Sequence, residues 1–247
     1  MEQEFKFPTE VIDLPSKGLP YPETSPLSSG KIEMKYMTAK EEDILTNQAY
    51  ITKGIVIDKL LQSLIVDKGI DYNSLLSADK NALLIAARVL GYGKDYEFEY
   101  GGEKQTIDLT TLPDKQIDES LFEKGKNKFK FTLPTSKVDI TFKLLTHGDE
   151  QKIEQELKGL RKAYKNNPPE LSTRLKHIIT SVGENEDDNT VRSFVENNLL
   201  ARDSRALRQY IGEISPDVDL TFYPDNGPEE GVDIPIGIGF LWPDVRL

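Results

Sequence analysis

Two histidines, His147 and His177, and a run of carboxylates at Glu184, Glu186, Asp187 and Asp188 are the first groups to try as metal ligands in this chain of 247 residues. A zinc site draws three or four ligands at short, regular spacings. Neither histidine belongs to an H-x-x-x-H pair, and both fall in helical patterns, so they are expected to be structural or solvent-facing. The acidic run lacks the D-x-[DN]-x-[DN]-G order and distal Glu of an EF-hand, which makes it a solvated loop. A third candidate is "YEFEYGGEKQTIDL", residues 96–109. Its alternating arms flank Gly101-Gly102, a dipeptide suited to the positive φ of a tight hairpin turn. Such an arm–knuckle–arm often grips a metal through cysteines, and this chain has none. A second hairpin pattern returns at Val218–Ile236. There is no G-x-S-x-G, P-loop or G-x-G-x-x-G. Nothing singles out an acid–base pair among the 42 Asp and Glu. The expectation is a protein that is not an enzyme, with no metal and no cofactor.

What the sequence offers instead is contact equipment. "IPIGIGFLWPDVRL" (234–247) holds the only Trp, Trp242, beside Phe240, Leu241 and Pro243. Pro235, Gly237, Gly239 and Pro243 argue against a helix there. An extended aromatic segment docks either on its own domain or on another subunit. The N-terminal stretch around Leu19 and Tyr21 poses the same choice. These six residues are the candidate partner-binding anchors.

Composition narrows the field further. Hydrophobic residues at 37% and charged residues at 30% fit a globular protein with a well-solvated surface. A net charge of −11 argues against general binding to nucleic acid, which needs clustered Lys and Arg. The same charge would suit a basic protein partner, or an acidic mimic of DNA that blocks one. The absence of cysteine gives no sign of an oxidising compartment. The start "MEQEFKF" is acidic and unlike a signal peptide. The apolar run "ALLIAARVLG" (82–91) is about half a membrane span and reads as a buried helix.

Periodicity and capping lay out an α+β fold in two related lobes. An extended arm over 1–30 precedes a first lobe over 31–112. A polar linker over 113–127 leads to a second lobe over 128–236, and 237–247 form a docking tail. "KIEMKYM" (31–37) alternates as a half-buried strand. Thr38 and Glu41 form a capping box before the first helix. Helices are expected over Ile55–Val66 and from Ser77 to about Leu90, and the opening hairpin follows. The pattern then restarts: "KFKFTL" and "KVDITFKLL" pair around Pro134-Thr135-Ser136, and Thr146 to Asp149 begin a long helix. Leu171, Leu175, Ile178, Ile179 and Val182 make the face of another helix. The acidic loop over 183–189 leads into Val191–Leu200, and Asp203 caps a helix to about Ile211. Residues 75–98 align without gaps on 199–222, matching Asp79 with Asp203 and Phe98 with Phe222. That restart predicts a diverged internal duplication.

"LPSKGLPYP", "GKIEMKYMTAKEEDILTN" and "LLQSLI", with "ITFKLLTHGDEQKIE", "ARDSRALRQYI" and a terminal "FLWP", resemble the baseplate hub and hub-assembly proteins of T-even-type contractile-tailed phages. The resemblance covers nearly the whole chain and is most specific at Leu14–Pro22 and Phe240–Pro243. It implies a structural component of the baseplate hub working through contacts with other hub proteins. A transient hub-assembly factor absent from the finished virion is the alternative. Location would be the tail baseplate, or the host cytoplasm during assembly. The resemblance also implies that the hairpins descend from C-x-x-C zinc knuckles. Here those knuckles read Tyr100-Gly101-Gly102-Glu103 and Pro224-Asp225-Asn226-Gly227, so no zinc requirement carries over. Ordinary hairpins with no metal ancestry remain the other reading.

Overall fold

The computed structural model describes residues 8–165, 167–224, 228, 231–236 and 240–241. Its first half opens with a two-stranded antiparallel ladder, β1 (Thr9–Asp13) on β2 (Lys31–Lys35), with Val11 opposite Glu33. The arm expected over 1–30 therefore contains a strand. Its residues are exposed or nearly so, leaving no apolar alternation to reveal it, and the ladder to β2 alone makes it one. After β1 the chain turns a corner at Leu14-Pro15-Ser16-Lys17, where the Lys17 N–H donates to the Leu14 carbonyl at 2.8 Å and Lys17 takes φ 53°. Only glycine fits next, because Gly18 has φ +78° and a Cβ there would lie 2.5 Å from the Ser28 carbonyl oxygen.

The helices α1 (Ala39–Leu45), α2 (Gln48–Thr52) and α3 (Val56–Leu64) follow. The last buries Leu60, Leu61 and Leu64 on one face. Helix α4 (Ser77–Tyr92) stops at Gly93, φ +86°. Ser77 is its first helical residue and Leu76 its N-cap, because the Ser77 N–H is taken by the Leu145 carbonyl at 3.1 Å. Strands β3 (Asp95–Tyr100) and β4 (Glu103–Asp108) form the hairpin, with Gly101 at φ 61° and Gly102 at φ 84° in its turn.

The second half repeats this order. Strands β5 (Phe129–Thr132) and β6 (Asp139–Phe142) flank the corner Leu133-Pro134-Thr135-Ser136-Lys137, where Lys137, at φ 58°, is left-handed like Lys17. Helices α5 (His147–Arg161) and α6 (Glu170–Ile178) come next. Ile179 to Val182, expected on the face of α6, instead form β7 (Ile179–Val182), which pairs with β6 through Phe142↔Ile179 and Ile140↔Val182. The ladder satisfies backbone groups that a longer helix would leave beside an unfilled sheet edge. The first half makes the same move in miniature, where Ile65 bridges Met34 directly after α3. Helices α7 (Asp188–Asn197) and α8 (Ala201–Ile214) follow, and β8 (Thr221–Phe222) pairs with β9 (Val232–Asp233). Asp225, Asn226 and Gly227 of the second knuckle lie outside the described residues.

Equivalent side chains do equivalent work in the two halves. Lys35 pairs with Glu41 at 2.7 Å and Lys143 with Asp149 at 2.7 Å, each carboxylate also accepting the N–H and hydroxyl of its N-cap threonine, Thr38 or Thr146. Burial would raise the pKa of Glu41, but the Lys35 ammonium and the hydroxyls of Thr38 and Ser63 hold it at about 2, against an ordinary 4.5. A depressed folded-state pKa contributes stability that is present above pH 4.5 and is lost as pH falls toward 2. Glu41→Gln is therefore expected to flatten the acid side of the stability profile, read as urea midpoints between about pH 7 and about pH 3.

The halves share one apolar core, reaching from Leu14 and Met34 through Leu83 and Phe142 to Leu207 and Phe240. The expected polar linker over 113–127 is packed rather than free. Asp114 bridges Val218, and Phe122 lies edge-on to Phe129 with ring centroids 5.1 Å apart. The hairpins meet through the matched residues Phe98 and Phe222, edge-on at 5.2 Å. This ring contact holds the hairpins with no thiolate present.

Candidate interaction surface

Each expected anchor on the described chain is turned inward. Tyr21 is 4% exposed, Phe240 1% and Leu241 2%. Leu19 is half-buried against the core, its carbonyl accepting the Gly125 N–H at 2.8 Å. Trp242 and Pro243 lie outside the described residues. Tyr21, Phe240 and Leu241 are thus corrected from partner anchors to core side chains of their own chain. An aromatic segment follows the apolar surface nearest to it, and here the folded chain supplies that surface.

Asp79 holds the N-terminal corner in place. Its carboxylate, fully buried, accepts the Ser16 N–H at 3.0 Å, the Ser16 hydroxyl at 2.7 Å and the Tyr21 hydroxyl at 2.5 Å. The Tyr21 oxygen in turn accepts the Leu76 N–H at 2.9 Å. Burial pushes the Asp79 carboxyl above its ordinary value despite these donors. Asp203, expected to cap α8, sits in its first turn and does for the second corner what Asp79 does for the first. It accepts the N–H groups of Thr135 at 2.7 Å and Ser136 at 3.0 Å. Burial opposes its ionisation, but those two N–H groups hold its pKa below the ordinary value. The shared string Leu-Pro-(Ser/Thr) at 14–16 and 133–135 is the sequence signal that marks both corners.

The histidines are structural. His147 is buried between the halves, edge-on to Tyr72 at 4.7 Å and 3.7 Å from Asp58. Burial holds its pKa below the ordinary value, with Asp58 opposing. His177 Nε2 lies 2.9 Å from Glu156, which also takes Arg192. Among the described residues no group of three His, Asp or Glu could hold a metal ion, and no helix is long and apolar enough to cross a membrane.

One open feature is a groove of about 360 Å³ beside α6; a wider one of about 720 Å³ lies along Glu33, Lys35, Ser63 and Ile65. Leu171, Leu175 and Ile178 of α6, Ile211 of α8 and Leu76 at the start of α4 wall the first, with Arg174, Arg208 and the carboxylates Glu150 and Asp217 also in its lining. Leu171 is 48% exposed, so the apolar wall continues onto the surface, and a second cavity containing Leu171 and Leu175 adjoins Val195 and Leu199. Arg174 is tied to Glu150 at 2.5 Å. No family model, curated protein or solved structure matches the chain.

Sequence reasoning missed this groove because it read the same leucines only as the apolar face of a helix. The overlooked sign is the spacing of Arg202, Arg205 and Arg208 along α8, three cations three residues apart in a chain of net charge −11. Spacing of that kind keeps them toward one side of the helix. All three are exposed.

Proposed function

We propose that this protein is a non-enzymatic component of the baseplate hub of a T-even-type contractile tail, working by holding other baseplate or hub proteins. The observation that carries the reading is the apolar groove of α6 with arginine along its edge. Solvent-exposed leucine beside a concave apolar wall costs free energy until another surface covers it, and arginine at the edge adds directional recognition. The N-terminal and C-terminal segments that resemble the hub group add to it. They act within the fold, as the ties of Tyr21 and Phe240 to the core require, and leave the groove as the contact surface.

A resident subunit and a transient assembly factor would use the same surface. They separate on whether the chain remains in the finished particle. Quantitative mass spectrometry of purified tails against the infected-cell lysate tests this. A resident subunit is expected at a fixed copy number that follows the tail's symmetry, about three or six. Abundance in the lysate with absence from tails would instead assign the assembly role. Absence from both would overturn the baseplate reading.

A further inference from the structure

The halves of the repeated fold differ in how one helix pair closes. In the first half α3 lies directly against α4, with Leu60, Leu61 and Leu64 fully buried. Met37 seals the end of that contact by lying on Gly91, where a Cβ would come within 2.6 Å of the methionine Cε. In the second half the corresponding helices α6 and α8 are separated by the groove, which Leu76, Ser77 and Ala78 at the start of α4 also line. Matching the halves through Thr38 and Thr146, Leu61 and Leu175, and Asp79 and Asp203 gives the residue correspondence. Arg174 stands where the first half has Leu60, and Arg208 where it has Leu84. Leu145 and Ser215, which both line the groove, stand where Met37 and Gly91 make the seal.

Charge changes with the packing. Helix α4 carries Ala78, Asn81 and Leu84 where α8 carries Arg202, Arg205 and Arg208. None of these three arginines makes an ion pair or side-chain hydrogen bond among the described residues. The second half thus replaces a sealed apolar contact by a groove whose lining includes Arg208, which makes no ion pair among the described residues. Guanidinium is suited to planar, two-point recognition of a carboxylate.

We propose that the groove between α6 and α8 docks a segment of a partner protein that inserts bulky apolar side chains and sets a carboxylate against Arg208. The segment completes in the second half the packing that the first half makes for itself. The volume suits a few side chains rather than a whole helix. This rests on the reading of the chain as a protein that works through protein contacts.

The test uses the full chain and two small probes, hydrocinnamate and the uncharged hydrocinnamyl alcohol, followed through the methyl signals of Leu171, Leu175, Ile178 and Ile211. Saturable shifts of these methyls are expected, with hydrocinnamate binding at least about threefold more tightly than the alcohol. Arg208→Leu, which installs the first-half residue, is expected to abolish that preference. Arg208→Gln serves the same purpose should the leucine variant self-associate. Absence of saturable shifts, or equal affinity for the two probes, overturns the proposal. So would concentration-dependent dimerisation that Arg208→Gln abolishes, since the occupant would then be a second copy. Methyl shifts saturating with a DNA oligonucleotide would assign the arginines to phosphate and overturn it as well. A tail-resident chain whose groove ignores both probes fails this inference alone. A probe-binding chain absent from both tails and lysate fails the baseplate reading alone.

Discussion

Asp79→Ala is expected to destabilise the fold by about 3–5 kcal/mol, the cost of leaving several buried donors without an acceptor. The Ser16 N–H, the Ser16 hydroxyl and the Tyr21 hydroxyl all converge on this one carboxylate. Ser16 is fully buried and Tyr21 nearly so, which keeps water from replacing the lost acceptor. The variant should lower the urea midpoint and speed proteolysis within 14–21 ahead of global unfolding, because the corner is what the carboxylate holds. Asp79→Asn separates shape from charge. The folded-state pKa of Asp79 is raised, so its protonated form favours folding below its ordinary value of 3.8, and that advantage is lost as pH rises through the raised folded pKa. Burial disfavours the ionised form, so the neutral amide should cost much less than alanine. Equal losses for Asn and Ala across the pH range would show that the charge itself holds the corner. The matched Asp203 has the opposite sign, its pKa lying below the ordinary 3.8. Its contribution is present above pH 3.8 and lost as pH falls through the lowered pKa.

Phe240→Ala should cost about 3–5 kcal/mol of stability, as large-to-small changes at filled aromatic sites do. The ring is 1% exposed and meets Tyr96 edge-on at 5.0 Å. Tyr96 donates its hydroxyl to the Pro235 carbonyl at 2.6 Å, tying the first hairpin to the segment that carries Phe240. The variant should unfold at lower urea, and removal of residues 240–247 should do so at least as strongly. An anchor reserved for a partner would leave the isolated chain's stability unchanged, so an unaltered midpoint would return Phe240 to the interface. Leu171→Ala supplies the contrast. At 48% exposure it should change stability by no more than about 0.5 kcal/mol, while weakening whatever occupies the groove.

Local chemistry was legible without the fold. The capping box at Thr38 and Glu41, the helices around Leu60 and Leu83, and the hairpin turning on Gly101 and Gly102 all follow from interactions within a few residues of chain. So does the α+β class, because helical and alternating periods recur in the same order. The matched Asp79 and Asp203 also came from sequence, but their roles did not. A buried carboxylate beside a helix start reads as a cap until a distant corner presents its N–H groups to it, and only the folded chain brings Thr135 to Asp203. Ile179 to Val182 went the same way, since their apolar pattern suits a helix face or a strand equally and the open edge of β6 decided it. Tyr21, Phe240 and Leu241 show the limit most plainly. Sequence fixes that such side chains must leave water, since that depends on their own surface. Whether they leave it against their own chain or another depends on which apolar wall the rest of the fold has already closed. Here the first half closed its own helix pair and the second left one open.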